Sequence, residues 1–287
     1  MNQPKVYGSF FKRGDYTFRS SAYIQWGTSK KSLGSCLLLN PGSANFDKIN
    51  PELGILLNSH GKAHGQIHAD PTMGQLIKLV YYIYGTDEID GRFNIYNLFA
   101  LQDTQSEHAI DTFEMLVNHG YLNIHESLIS INELKENPWI LIGWGVKNKT
   151  KWTNFKNIKQ KWMEQITLSK ISMFGKLNHR QDYYHPCPQR RNDRDIILHE
   201  LYHLYTDSLK QQQSNKERYT FLKWNGKYGN EAKFIVRNNW NNTQSVFIPG
   251  RCNDLIWFHF DLASDTSIKN WEPFGEESVD DLEWVTF

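Results

Sequence analysis

Apolar positions in this chain repeat with two different periods. Short, uninterrupted apolar runs in SCLLLNPGSA, FNIYNLFAL and PWILIGWG each close on a polar or glycine turn, the pattern of strands buried on both faces. Between them, TMGQLIKLVYYIYG carries apolar residues at helical spacing and stops at Gly85, and AIDTFEMLVNHGY does the same and stops at Gly120, as helices ended by a left-handed glycine do. Alternating strands and helices predict an α/β fold, with a central, mostly parallel sheet flanked by helices on both faces. ITLSKISMF reads as a further, weaker strand, and DRDIILHELYHLYTDSL as a closing helix with Ile196, Ile197, Leu201, Leu204 and Leu209 near one face. After QQQSNKE the texture changes. Short aromatic and β-branched runs broken by NGKYGN and NNWNN predict hairpins from 218 to about 262. The expected organisation is an α/β domain over residues 1–212 followed by a β-rich extension and acidic tail over 218–287.

The length of 287 residues and the 39% apolar content suit one large domain with a smaller appendage. Cys36, Cys187 and Cys252 are widely spaced and match no disulfide or metal pattern, which suits a reducing compartment. No secretory core or 18-residue apolar run follows the N-terminus. The expectation is a cytoplasmic, monomeric protein with no membrane partner and no cofactor. His60, His64 and His68 recur every four residues, but Gly61 and Gly65 between them argue for a loop rather than a helical metal face, so no metal is expected.

A formal net charge of +1 argues against nucleic acid as a partner only if charge is evenly spread, and it is not. From Lys147 to Arg180 there are eight lysines and one arginine against the single acid Glu164, while from Asp261 onward eight acids face Lys269 alone. The basic stretch makes one positive face possible on a nearly neutral chain, with Lys156 and Lys159 as candidate phosphate contacts.

In α/β sheets, ligands bind beyond the carboxyl ends of the strands. Four polar features fall there: Asn40 after CLLL, Asn97 after NIY, Trp144 with Gly145 after WILI, and His185 after DYY. His185 opens HPCPQRR, where Pro186 and Pro188 restrict their neighbours and stiffen a loop that presents Gln189, Arg190 and Arg191. Asparagine both donates and accepts, so Asn40 suits water positioning and Asn97 suits a planar edge. Histidine supplies a donor or a proton near neutral pH. Asp70 in HADPT stands before a helix start, either as its cap or as a pocket carboxylate.

LLLNPGSA, HADPTMGQL, NIYNLFALQDT, the strand ending IGWG, and HPCPQRR, in that order, resemble a bacterial and phage family of unassigned function marked by LNPS-T-A, DPT, NLF and HP elements. That family in turn resembles the uracil-DNA glycosylase superfamily. The resemblance covers roughly residues 35 to 205. It implies that Asn40, in an Asn-Pro-Gly turn, positions water; that Asn97 contacts the base; and that His185 stabilises the departing base, with the following residues entering the duplex. Pro41, Gly42 and Trp144 would shape the base pocket, Asp70 would assist the water, and Gln189, Arg190 and Arg191 would meet DNA. The departures are specific. Asn40 stands where the uracil enzymes have an aspartate, small residues follow NPG where those enzymes have a blocking tyrosine, Cys187 replaces a serine, and Gln189 and Arg190 replace a hydrophobic wedge. ELGILLNSHGKAHGQIH is a long insertion. The implied activity is therefore a DNA glycosylase acting on a flipped, modified or non-standard pyrimidine. The alternatives are an N-glycosidase acting on free nucleosides or nucleotides, and a non-catalytic module that binds a modified base.

Overall fold

The computed structural model describes the backbone of residues 3–85, 89–224, 234–238, 243–249, 255–261 and 271–273, and the side chains of 3–85 and 89–208. The chain divides into two compact units, Met1–Ser208 and Leu209–Phe287.

The first unit is built on a seven-stranded mixed sheet. Its strands are β1 (Lys5–Arg13), β2 (Tyr16–Trp26), β3 (Ser32–Leu38), β4 (Lys62–Ile67), β5 (Gly91–Asn97), β6 (Trp139–Gly143) and β7 (Ser172–Phe174), in the order β4-β1-β2-β5-β3-β6-β7. The strands β5, β3, β6 and β7 run parallel, and all five residues of β6 are buried, as a strand covered on both faces requires. The other half of the sheet corrects the mostly parallel expectation: β2 pairs antiparallel with β5, β1 with β2, and β4 with β1. The β1–β2 hairpin turns at Gly14, whose φ of 55° suits glycine. The long insertion folds as α1 (Pro51–His60) and the edge strand β4. The histidine segment is thus a helix end and a strand rather than a loop, and no group of three or more metal-binding side chains occurs among the described residues.

Successive strand residues point to opposite faces. In β3, Cys36 and Leu38 join one apolar cluster while Leu37 joins the other. The first cluster is covered by α2 (Pro71–Tyr84), through Met73, Leu76, Leu79 and Val80, and by the start of α6 (Asn192–Arg218). The second is covered by α3 (Ser106–Asn118), by Leu134 of the short α4 (Ile131–Lys135), and by α5 (Thr153–Ser169). The helix α2 begins under the Asp70 cap and ends at Gly85 in the left-handed region, as its sequence predicts.

Two expectations along this half change. ITLSKISMF divides: its first four residues close α5, and its last three, Ser172–Phe174, form the expected strand and pair with β6. Phe155, Ile158, Trp162 and Ile166 are buried along one side of α5, a stripe hidden in sequence by the intervening lysines. In α6, Ile197, Leu198 and Leu201 face the core while Ile196 is 59% exposed, a rotation of the expected face toward Leu198.

The second unit holds a five-stranded antiparallel sheet of β8 (Tyr219–Trp224), β9 (Phe234–Asn238), β10 (Thr243–Pro249), β11 (Leu255–Asp261) and β12 (Trp271–Pro273), ordered β11-β10-β9-β8-β12. The expected hairpins are therefore present as a separate sheet. Their turn residues 225–233 and 239–242, and most of the acidic tail, lie outside the described residues.

Candidate functional site

Strand β3 sits between β5 and β6, so the chain leaves it toward one neighbour and later returns on its other side. The loops after the two strands diverge there and leave a crevice. A cavity of about 380 Å³ lies at this point, within the range of small-ligand sites. Its wall is drawn from Asn40 and Gly42 after β3, Asp103 and Thr104 after β5, Trp144 to Lys147 after β6, Tyr184 to Gln189 after β7 apart from Pro186, and Asp70 with Thr72 at the start of α2.

The loop after β3 is laced to the one after β5. Gln102 donates from Nε2 to the carbonyls of Gly42 and Ala44, both at 3.0 Å, and the Asp103 N–H donates to the Pro41 carbonyl at 3.0 Å. Asn40 completes the lacing: its Nδ2 donates to the carbonyls of Pro41 (2.9 Å), Leu101 (3.3 Å) and Asp103 (2.9 Å). Three carbonyls around one end establish which end is nitrogen. Among the described residues no group donates to its Oδ1, so the acceptor end of Asn40 is unused by the fold.

Across the sheet, the HPCP loop is seated on β6. A Cβ at Gly143 would lie 2.6 Å from Pro186 Cδ, so this close approach depends on glycine. The Nδ1 of His185 lies 3.0 Å from the Cys187 carbonyl and 3.2 Å from the Cys187 N–H, which leaves Nε2 as the ring nitrogen without a partner among the described residues. Burial is the main cause holding the His185 pKa below the usual imidazole value, opposed by the Cys187 hydrogen bond and the charge of Asp70. The side chain is accordingly neutral near pH 7. Burial likewise pushes the Cys187 thiol up, against a smaller opposing effect of Arg194, so this cysteine is no thiolate nucleophile.

Asp70 uses Oδ1 to accept from the Met73 N–H at 2.9 Å. A Cβ placed at Gly42 would lie 3.3 Å from its Oδ2. The carboxylate is thus the helix cap and a cavity group at once. The Trp144 indole donates to Asp182 at 3.2 Å and stands edge-on to Tyr183 at 5.1 Å, which holds it as a rigid wall.

The structure therefore brings Asn40, Gly42, Asp70, Trp144, His185 and Gln189 to one cavity. Other expected residues stand elsewhere. Pro41 contributes its carbonyl to the lacing rather than a surface to the cavity. Asn97 lies behind the wall, where its Oδ1 accepts from Arg19 Nη2 at 3.1 Å; Arg19 of β2, unforeseen in the sequence, is in the wall instead. Arg190 and Arg191 are exposed. Lys156 is exposed and donates to the Thr150 carbonyl at 3.3 Å.

Lys159 is not a surface cation. It pairs with Asp182 at 2.5 Å, the two side chains being 12% and 5% exposed, and its assignment to phosphate is withdrawn. The lysine-rich stretch as a whole is partly neutralised: Lys147 and Lys149 pair with Glu107, Lys151 with Asp111, and Lys176 with Glu200. Those acids lie far away in sequence, so a local charge count could not reveal them. Arg19 was missed because YTFRSSAYIQW lacks clean alternation, and Asp103 because an aspartate after a strand is an ordinary turn residue.

No protein-family model, curated protein or solved structure matches the chain. Fold and site define its class: an α/β protein with a central mixed sheet flanked by helices, a β-rich region, and a cavity with both polar and apolar walls at the carboxyl ends of the parallel strands. Among the described residues no helix is long and apolar enough to cross a membrane.

Proposed function

We propose that the protein is a DNA glycosylase that hydrolyses the N-glycosidic bond of a flipped, modified or non-standard pyrimidine. The observation that carries this reading is Asn40. Its amide nitrogen is tied to three carbonyls and its Oδ1 has no partner among the described residues, which suits it to accept from and orient a water. A neutral histidine, His185, lines the same cavity. The resemblance in motif order to the uracil-DNA glycosylase superfamily, and an α/β sheet flanked by helices, support the same reading.

The reaction breaks the bond between C1′ and the base nitrogen and forms one between C1′ and the water oxygen. Positive charge grows on the sugar and negative charge on the base. Asn40 Oδ1 holds the water, and Asp70 Oδ2 takes its proton. His185 donates from Nε2 to the leaving base in the tautomer whose Nδ1 accepts from the Cys187 N–H, which base entry selects over the tautomer whose Nδ1–H donates to the Cys187 carbonyl, and a neutral donor there stabilises the developing charge. Trp144 gives the base a flat wall. Gln189 in the cavity wall and the exposed Arg190 and Arg191 that follow it would enter the gap and meet phosphate.

The neutralised lysines favour one alternative, an N-glycosidase acting on free nucleosides or nucleotides, because they leave less positive surface for a duplex than the sequence suggests. One panel tests both. Duplex and single-stranded DNAs carrying uracil, thymine mispairs or enlarged pyrimidines, together with the matching free nucleosides, are incubated with the protein, and released base and alkali-labile breaks are measured. Base release from DNA is expected. Release from nucleosides alone selects the alternative, and no release from any substrate defeats both.

A further inference from the structure

Arg19 is the one charged group of the cavity wall that lies almost wholly inside the protein and has no assigned task. It is 4% exposed. Of its three nitrogens, Nη2 donates to Asn97, whereas Nε and Nη1 are buried without an acceptor. The Nδ2 of Asn97 is likewise buried and has no partner among the described residues, so the unmet atoms of the pair, two nitrogens of Arg19 and one of Asn97, are all donors. Unmet donors on a buried cation are costly, and arginine does not escape by losing its proton. Burial lowers its pKa only to about 10, with the charge of Asp70 working the other way.

Arg19 is in the wall, but these two nitrogens have almost no accessible surface, so an acceptor in the cavity meets them once the guanidinium turns toward it, and the rest of the wall indicates that acceptor's charge. Asp70 and Asp103 are both in the wall, while its lysine, Lys147, is paired with Glu107. A phosphate or free carboxylate would meet those carboxylates at close range. A neutral acceptor avoids that repulsion and still receives a charge-assisted hydrogen bond. An amino group or ring N–H would set donor against donor.

We propose that Arg19 is the specificity-determining residue of the cavity, that it takes an acceptor atom of a nucleobase, a keto oxygen or an unprotonated ring nitrogen, and that Asn97 is the positioning residue that aims it. The assignment rests on the reading that a base enters the cavity. It moves base recognition from the asparagine expected in sequence to the arginine that this asparagine holds. It also gives the departing base a second partner: negative charge that grows on the keto oxygen during bond cleavage develops beside a guanidinium.

The experiment measures binding rather than turnover. The full chain and its Arg19→Met and Arg19→Lys variants are titrated with trinucleotides identical but for the central base, which is uracil, cytosine or a phenyl ring of similar shape with no acceptor. Inorganic phosphate is titrated separately. Wild type should prefer the two pyrimidines over phenyl by about 10- to 100-fold, the scale of one hydrogen bond to a charged group. Arg19→Met should bring that ratio close to unity with the fold kept, because an apolar side chain of similar length can replace a buried charge. If Arg19→Met does not fold, Arg19→Lys carries the test, and it should narrow the ratio because an ammonium lacks the planar set of donors. A variant that folds and keeps the wild-type ratio overturns the assignment while leaving the glycosylase reading intact. Arg19-dependent binding of phosphate overturns it in favour of an anion site. Equal binding of all three trinucleotides by wild type overturns both the assignment and the reading beneath it.

Discussion

The proposed reaction places its chemistry at single atoms of Asn40 and His185, and each makes a measurable demand. Under the proposed reaction, replacing Asn40 with alanine removes the water acceptor and takes a donor from three carbonyls, of which that of Pro41 keeps the Asp103 N–H; base release should fall by about 100-fold, the scale of one lost catalytic polar group. Asn40→Asp is the sharper variant. It sets a carboxylate oxygen against the same carbonyls, so its melting temperature should lie below that of Asn40→Ala, and the reverse order would contradict the orientation given to the amide. For His185 the sign follows from its lowered pKa. The folded state disfavours the charged ring, so its contribution to stability is complete above the unfolded value near 6.5 and is lost as pH falls below it. Thermal melts from pH 7.5 down to about pH 5 should show wild type losing more stability than His185→Gln. Parallel curves would mean that the ring is not held neutral.

At the scale of elements, the site is a set of loops held in register by close contacts between strand ends. Gly143 lets the HPCP loop lie on β6, where an added Cβ would meet Pro186 at 2.6 Å. Gly143→Ala should therefore cost about 1–3 kcal/mol by overpacking and should displace His185. Reduced base release in a variant that still melts cooperatively is the expected result, and unchanged release would show that the loop does not depend on this seat. The same scale explains the uneven legibility of the elements. β3, β5, β6, α2 and α3 carry clear periods and glycine or asparagine stops, and all were readable. The helix α5 was read as a charge run because its four buried apolar residues stand among lysines. β1, β2 and β4 went unseen because half-exposed strands interrupted by serines and glycines do not alternate cleanly.

For the whole molecule the open quantity is how positive the face around the cavity really is. Arg190, Arg191 and Lys156 are exposed, whereas Lys159 is committed to Asp182. Replacing each of the first three should reduce the slope of log affinity for DNA against log salt by about 1, as expected for lost phosphate contacts. Lys159→Met should leave that slope unchanged and instead destabilise the fold by about 3–5 kcal/mol, since it strands a buried carboxylate. Salt titrations beside melting curves separate the two behaviours, and a Lys159→Met variant with a shallower slope and full stability would restore the sequence-based assignment.

Local pattern alone determined that β3, β5 and β6 are buried strands, where two major helices stop, and that Asn40 and Trp144 follow strands while Asp70 starts a helix; His185, expected to close a strand, instead stands in a loop beyond the isolated bridge of Leu177 with Tyr183. These follow from periodicity and from turn chemistry, which act over a few residues. Tertiary structure decided which of them share a cavity, that Asn97 supports the site from behind, and that Arg19 enters it from a strand not recognised in the sequence. It also decided which lysines are free. Ion pairs such as Lys159 with Asp182, and hydrogen bonds such as Arg19 with Asn97, join residues 23 and 78 positions apart. No pattern confined to neighbouring residues encodes such pairings, because they exist only once the sheet has brought distant strand ends together.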